Sequence, residues 1–144
     1  MRLVVTETLN APLEAVFAVV CDPRRRLEWM RSLLHVQVNT AGEPRIGTSW
    51  SEVTRGGFAF ALEITEFERP KRWAERAHGR FADARLGLDL EAVNAGSTRL
   101  TLGVDVDFKG LAKLGAPLVK AALPVALRGD LRRVEVLARR AAAN

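Results

Sequence analysis

The stretch Leu111–Ala143, LAKLGAPLVKAALPVALRGDLRRVEVLARRAAA, predicts one long C-terminal helix around which the rest of the chain folds. Apolar residues recur in it at steps of three and four, which places them along one side of a helix. This predicted stripe contains Val119, Leu123, Leu127, Leu131, Val134 and Ala138, and it is widened by Ala126 and Leu137. An amphipathic helix of this kind needs a partner that covers its apolar side.

Two prolines are expected to divide this stretch. Pro117 fits the first turn of the main helix, which leaves Leu111 to Leu114 as a separate short turn before it. Pro124 lies well inside the predicted helix, where the missing N–H and the ring of proline disrupt the hydrogen bonding. We therefore expect a kink at Pro124.

The positive charge of the chain is concentrated in the same stretch. Seven basic and two acidic residues follow Gly110, whereas residues 1–110 hold 15 of each sign, so this stretch accounts for the net charge of +5. The basic residues are interspersed with Asp130 and Glu135, and no aromatic residue accompanies them to stack on bases. Such a face could meet an anionic membrane or nucleic acid, but we interpret it as solvated and expect no nucleic-acid partner.

The composition is that of one globular domain. The chain has 144 residues, of which 48% are hydrophobic, and it shows no repeat. Its N-terminus lacks the pattern of a secretory signal, and no apolar stretch approaches the roughly 18 residues that span a membrane. The single cysteine, Cys21, follows two valines and is expected to be a buried apolar residue. We expect a cytoplasmic protein without integral membrane association.

The first thirty residues predict one strand and two short helices. Arg2–Leu9 alternates in polarity and is rich in valine and threonine, as strands are. Asn10 and Asp22 are candidate N-caps for two short helices, of which the second ends near Met30. The surface of the second helix is expected to carry Arg24, Arg25 and Arg26.

From Leu33 onward the apolar residues follow a period of two, which is typical of half-buried strands. Six strands are predicted, at residues 33–38, 48–55, 58–67, 72–79, around 85–91 and 99–108. The first of them is expected to place Leu34, Val36 and Val38 on one face. Strands joined by short turns form an antiparallel sheet with one apolar face, and the long helix is the element left to cover that face. The predicted fold is α+β, with a curved sheet of about seven strands in the order β-α-α-β6-α wrapped around the C-terminal helix.

Several motifs occur along the chain in a characteristic order. They are Ala11-Pro12 with Val16-Phe17, Asp22-Pro23 leading to Trp29, Gly47-Thr48, Gly56-Gly57, and the run Glu66-Phe67-Glu68-Arg69-Pro70-Lys71-Arg72-Trp73. Together they resemble the START-like helix-grip superfamily (SRPBCC), which includes polyketide cyclase/dehydrase and lipid-transport members. The resemblance covers nearly the whole chain and implies one helix-grip domain over residues 1–144. It also implies a deep pocket for an apolar molecule between the sheet and the C-terminal helix, but it does not imply an enzyme.

The period of two selects the residues that would line such a pocket. They are Trp50, Glu52, Phe60, Leu62, Leu88, Leu90, Leu102 and Val104 from the sheet, with Leu123 and Leu127 from the helix. The same apolar residues could instead pack against one another as solid core, because every fold contains apolar side chains at this period.

One carboxylate stands out among these residues. Glu52 has the parity of Trp50, so both side chains point to the same face, and a buried carboxylate is costly unless it is paired. Its candidate partners on the fifth strand are Arg76 and His78, and these three are the candidate catalytic residues. The size of Trp73 favours the opposite orientation of that strand, and the sequence leaves open which of its faces points inward.

Three functions from different classes remain open. The first is the binding or transport of a small hydrophobic ligand of the lipid or polyketide type. The second is a polyketide cyclase, aromatase or dehydratase, which is weakened by the absence of tyrosine as a proton donor. The third is a co-chaperone-like or toxin-like interaction module. No metal-binding, phosphate-binding or dinucleotide motif is present, so no cofactor is expected.

Overall fold

A computed structural model describes residues 1–144 as a seven-stranded antiparallel sheet with a long helix against it. The strands are β1 (Arg2–Leu9), β2 (Leu33–Val38), β3 (Ser49–Thr54), β4 (Ala59–Glu68), β5 (Arg72–Gly79), β6 (Ala82–Asn94) and β7 (Ser97–Phe108). The helices are α1 (Leu13–Val20), α2 (Arg26–Trp29) after a 3-10 turn over Pro23–Arg25, and α3 (Ala116–Ala143) after a 3-10 turn over Gly110–Gly115. The predicted helix-grip α+β fold is confirmed.

The spatial order of the strands is β1-β7-β6-β5-β4-β3-β2, and all neighbours are antiparallel. The first two strands in sequence therefore form opposite edges of the sheet, and α1 and α2 connect them across one face. We call this the inner face. Its apolar side chains join α1 and α3 in one core cluster, which includes the fully buried Phe17, Ile64, Leu100 and Leu131.

The long helix α3 is only half covered by the rest of the protein. Its buried residues all lie from Leu127 onward, namely Leu127, Asp130, Leu131, Val134 and Ala138. The first half of the predicted stripe, Val119 and Leu123, is half-buried. The main neighbours of α3 are α1, β1 and α2, and Arg133 Nε ties it to α2 by donating to the carbonyl of Trp29 at 2.9 Å.

The predicted position of Pro117 in the first turn of α3 is confirmed, and Pro124 lies inside the helix. The expectation that no stretch reaches membrane-spanning length is wrong. The segment Gly110–Ala143 is long and apolar enough to cross a membrane by length and composition, and little of its most apolar part is buried. Because the second half of α3 packs into the core, this apolar segment is part of a helix that the rest of the protein covers only in part.

Three local predictions are corrected by the structure. Asn10 does not cap α1, because the helix begins only at Leu13, and the backbone N–H of Asn10 instead donates to Glu135 Oε2 at 2.7 Å. Leu34 is exposed, because a β-bulge between Leu33 and His35 interrupts the alternation of β2. Phe58 precedes β4 and is exposed, with its ring edge-on to Phe81 at 5.8 Å between centroids.

Candidate functional site

A charged residue for which the sequence predicts a surface position is buried at the centre of the inner face. Asp22 caps the 3-10 turn by accepting a hydrogen bond from the backbone N–H of Arg24 at 3.0 Å. The turn then presents one side of α2 to the sheet, and Arg26 lies on that side with 3% of its surface exposed. Arg24 and Arg25 do point outward as predicted, but the prediction is wrong for Arg26.

Arg26 joins two buried glutamates into one cluster, which we call the Arg26 cluster (Arg26, Glu52 and Glu75). Its Nε donates to Glu52 Oε1 at 2.6 Å, and its Nη1 donates to Glu75 Oε1 at 2.8 Å. Glu52 and Glu75 are 5% and 3% exposed. Charge-assisted hydrogen bonds of this kind hold a buried cation that would otherwise be very costly.

The same tryptophan–glutamate arrangement occurs on two strands of the cluster. Trp50 Nε1 donates to Glu52 Oε1 at 2.9 Å, and Trp73 Nε1 donates to Glu75 Oε1 at 3.2 Å. In each case the tryptophan lies two residues before the glutamate, so both side chains share the inner face. The guanidinium of Arg26 also lies 5.4 Å from the ring centre of Trp50, within the range of a cation–π contact.

The charges of the Arg26 cluster do not balance when both carboxylates are ionised. Burial raises the pKa of Glu75, and the neighbouring Glu52 adds to this, although Arg26 opposes it. Burial disfavours the charge on Arg26, but the two glutamates outweigh that effect and keep its pKa above the ordinary value. A protonated Glu75 brings the net charge of the cluster to zero.

Two polar atoms around Arg26 are buried without a hydrogen-bond partner. They are Glu75 Oε2 and Trp29 Nε1, and the ring of Trp29 lies 5.8 Å from the Arg26 guanidinium. An unsatisfied buried polar atom costs about 1–3 kcal/mol, so such atoms are rare in folded proteins unless a ligand or an ordered water satisfies them. The cluster therefore offers hydrogen-bonding capacity that the protein itself does not use.

The candidate partners of Glu52 on β5 are not its partners. Alternation along β5 places Trp73 and Glu75 on the inner face and sends Arg76 and His78 to the outer face, where both are exposed. Arg76 pairs with Glu63 at 3.1 Å, and His78 pairs with Asp83 at 3.2 Å. Glu52 does face inward, but Arg26 supplies its charge partner.

The predicted ligand-lining residues all face inward, and eight of the ten are buried in the protein's own packing: Trp50, Glu52, Leu62, Leu88, Leu90, Leu102, Val104 and Leu127. Phe60 and Leu123 are half-buried. Contact of any of these residues with a ligand stays a prediction. Cys21 is buried as predicted, and its burial, with Glu75 nearby, raises the pKa of the thiol.

The inner face is incompletely covered next to the Arg26 cluster. The half-buried apolar residues there are Phe60, Ala77, Ala84, Leu86 and Val106, and we call this region the inner groove. Phe60 is the cross-strand neighbour of Glu52, and Leu86 is the cross-strand neighbour of Glu75. Directly opposed side chains in an antiparallel pair lie about 5 Å apart at Cβ, so the groove adjoins both carboxylates.

Two cavities have a different character, and the first of them also borders Glu75 and Leu86. Their volumes are about 730 and 700 Å³, and they are lined mainly by polar and charged residues, among them Arg72, Glu66 and Asp89. Arg72 bridges Glu66 and Asp89 on the outer face at 2.9 and 2.8 Å. These are ion-paired surface grooves rather than the apolar pocket that the resemblance implies. No group of three or more His, Cys, Asp or Glu side chains is placed to hold a metal ion.

Comparison with known families agrees with this geometry. Residues 1–142 match the model of the family described as polyketide cyclase / dehydrase and lipid transport. The chain belongs to this family. No protein of curated function matches this family member in sequence.

Solved structures show the same fold at low sequence identity. The Zhui aromatase/cyclase from Streptomyces sp. R1128 superposes with a TM-score of 0.81 at 16% identity, over 97% of this chain and 94% of that one. A START superfamily protein from Mycobacterium smegmatis gives a TM-score of 0.81 at 13% identity, over 96% and 97% of the two chains. A protein from Thermus thermophilus gives 0.79 at 16% identity, over 98% and 99%. At these identities the likeness establishes the fold alone.

The raised pKa of Glu75 predicts a pH dependence of stability. Below the unfolded-state pKa of about 4.3, both states hold the proton and the group contributes nothing to the pH dependence. As the pH rises from there to the higher folded-state pKa, the unfolded chain releases the proton first, so the free energy of unfolding falls. We expect wild type to lose stability relative to Glu75→Gln as the pH rises above about 4, as measured by urea denaturation at a series of pH values. If the difference in the free energy of unfolding between wild type and Glu75→Gln did not change with pH above about 4, the raised pKa of Glu75 would be contradicted.

Proposed function

We propose that this chain binds a small hydrophobic molecule in the inner groove and recognises one polar group of that molecule with the Arg26 cluster. The observation that carries the proposal is the buried, unpartnered Glu75 Oε2 beside an incompletely covered apolar surface. An apolar surface with a few convergent polar groups is the usual character of a small-molecule site.

The chemistry of the cluster indicates which polar group it suits. A protonated Glu75 can donate from Oε2 to a carbonyl oxygen, and an ionised Glu75 can accept from a hydroxyl. A ligand that carries a hydroxyl or carbonyl on an apolar body would satisfy this atom, whereas a purely hydrocarbon ligand would leave it unsatisfied. Lipid-like and polyketide-like molecules both meet this requirement, in agreement with the description of the family.

A polyketide cyclase, aromatase or dehydratase is the second candidate function. It is favoured by the raised pKa of Glu75, because a carboxyl whose pKa is raised holds its proton to higher pH and can act as a general acid toward a ligand carbonyl. One structural neighbour is named as an aromatase/cyclase. The two functions differ in the Glu75→Gln variant: a carrier would still bind its ligand, while an enzyme would bind substrate and fail to turn it over. For Glu52→Gln, unchanged turnover on a confirmed substrate would remove Glu52 as an acid or base.

Filling the inner groove tests where the ligand binds. Ala84 lies on the inner face between Ala77 and Val106. We expect Ala84→Phe to weaken binding of the neutral fluorescent probe N-phenyl-1-naphthylamine at least about tenfold, because the added ring occupies the space of about six heavy atoms of ligand. We also expect native mass spectrometry of the purified variant to show less co-purified small molecule than wild type does.

A matched variant on the other side of the sheet controls for this experiment. Ala61 is exposed on the outer face, next to His78 on the neighbouring strand, so Ala61→Phe adds the same ring away from the groove. Its probe binding should stay within about twofold of wild type, and urea denaturation should show both variants folded. Equal probe binding by Ala84→Phe and wild type would remove the inner groove as the binding site.

A further inference from the structure

The first half of α3 is apolar on two opposite sides, and only one of them faces the protein. Leu118, Ala121, Ala122 and Val125 follow the spacing i, i+3, i+4, i+7 and form a second stripe, which we call the outer stripe. Leu118 and the buried Leu127 are nine residues apart, which at about 100° per residue places them on opposite sides of the helix. Leu118 and Val125 are 74% and 72% exposed.

The exposed apolar surface extends beyond the outer stripe. Leu111 and Leu114 in the 3-10 turn before α3 are 85% and 81% exposed. A helix that is apolar all round is ordinarily covered on all sides, by protein or by a membrane. Contiguous exposed apolar surface of this kind marks an interaction site.

The charges around the outer stripe are of one sign. No acidic residue occurs between Asp107 and Asp130, and this interval contains Lys109, Lys113, Lys120 and Arg128. Farther along α3, Arg132, Arg139 and Arg140 are exposed. These three arginines, Lys113 and Lys120 form no ion pair within the chain. At about 100° per residue, Arg132, Arg139 and Arg140 lie within about 60° of Leu118 around the helix, whereas Lys120 lies on the opposite side. Lys109 and Arg128 are paired with Asp83 and Glu7. An apolar stripe that is continued on its own side by unpaired arginines is complementary to a surface that is both anionic and oily.

We infer that the outer stripe docks on the surface of an anionic membrane, with the first half of α3 lying in the plane of the interface. The second half of α3 belongs to the core, so the helix docks on the bilayer without crossing it. The long stems of Arg132, Arg139 and Arg140 allow their guanidinium groups to reach lipid phosphates while the apolar side chains insert. A second copy of this chain is a poorer partner, because it would bring the same unpaired basic residues against one another.

Co-sedimentation with lipid vesicles tests this inference. We expect wild type to partition onto vesicles of about 70% phosphatidylcholine and about 30% phosphatidylglycerol, and at least about tenfold less onto pure phosphatidylcholine. Raising the salt to about 0.5 M should weaken the partitioning several-fold, because it screens the basic side chains. The double variant Leu118→Gln/Val125→Gln makes these two positions polar at similar side-chain size, and it should lower partitioning at least about tenfold.

A matched double variant separates the outer stripe from exposed apolar residues in general. Ile46 and Val93 are 65% and 47% exposed and lie outside α3, so Ile46→Gln/Val93→Gln should partition within about twofold of wild type. Circular dichroism and urea denaturation would show that both double variants are folded. Equal partitioning of the two double variants would overturn the inference. It would also be overturned if wild type ignored anionic vesicles and instead formed a dimer that Leu118→Gln/Val125→Gln dissociates.

A polarity-sensitive fluorophore locates the contact directly. Cys21 is buried, so the thiol introduced by Ala122→Cys would be the main site of labelling. The labelled protein should show a blue-shifted emission on adding anionic vesicles, whereas a label introduced by Val93→Cys should not shift. A shift at Val93 and none at Ala122 would place the membrane contact elsewhere and overturn the inference.

Discussion

Replacing Arg26 by methionine is expected to lower the free energy of unfolding by about 3–5 kcal/mol at neutral pH. The substitution keeps much of the apolar stem but removes the only cation between Glu52 and Glu75, which bind it at 2.6 and 2.8 Å. Any negative charge that remains on the two buried carboxyl groups would then be uncompensated, and removing that charge would require the uptake of a proton. Urea denaturation at about pH 7 measures the loss, which should become smaller at about pH 5, where protonation is easier.

The adjacent arginine provides the control for this prediction. Arg25 is more exposed and pairs with Glu28 at 3.0 Å near the surface, so Arg25→Met should cost less than about 1 kcal/mol. Adding Glu52→Gln and Glu75→Gln to Arg26→Met should restore much of the lost stability, since the triple variant carries no buried charge at this point. Equal effects of Arg25→Met and Arg26→Met would show that the Arg26 cluster is not a buried unit.

The fold is predictable from this sequence because its strands are half-buried. A strand with one covered face repeats its apolar residues at a period of two, and antiparallel sheets commonly consist of such strands. The bounds of β1 and β5 follow from that period, at Arg2–Leu9 and Arg72–Gly79. The pattern fails at Leu34, where a β-bulge inserts one residue and shifts the parity of what precedes it.

The Arg26 cluster is not predictable from local pattern in the same way. Arg26 lies in a helix of four residues, too short to show any helical period, and arginine is ordinarily exposed. One signal in the sequence does point to the cluster: the pattern Trp-x-Glu occurs at Trp50–Glu52 and again at Trp73–Glu75. Because residues two apart in a strand share a face, each pattern places a carboxylate beside a large buried ring. Two such carboxylates require a cation, and the sequence does not say which arginine supplies it.

The sequence pattern also does not predict that half of α3 is left uncovered. The apolar period of the predicted stripe continues from Val119 to Ala138. It does not show which part of the stripe packs against the rest of the protein. Half of the outer stripe is alanine, which also occurs on solvated helix faces and gives a weak signal. Coverage depends on how α1, β1 and α2 meet the helix, and that is a property of the tertiary structure.

Truncating leucines in the two halves of α3 is expected to give very different results. Leu131 is fully buried in the core cluster, so Leu131→Ala should lower the free energy of unfolding by about 3 kcal/mol through lost apolar burial and the cavity that remains. Leu118 is the same residue type in the same helix, but it faces away from the core, and Leu118→Ala should change stability by less than about 0.5 kcal/mol. Urea denaturation of both variants measures the difference.

This pair of variants also bears on what the exposed half of α3 does. Burial of Leu131 stabilises the fold, whereas the exposed Leu118 contributes little to folding and is free to meet an external partner. If Leu118→Ala proved neutral for unfolding but reduced partitioning onto anionic vesicles, the outer stripe would act in docking and not in folding. A loss of more than about 1.5 kcal/mol from Leu118→Ala would instead mean that the protein in solution already covers this side of α3, and no surface would remain there to dock.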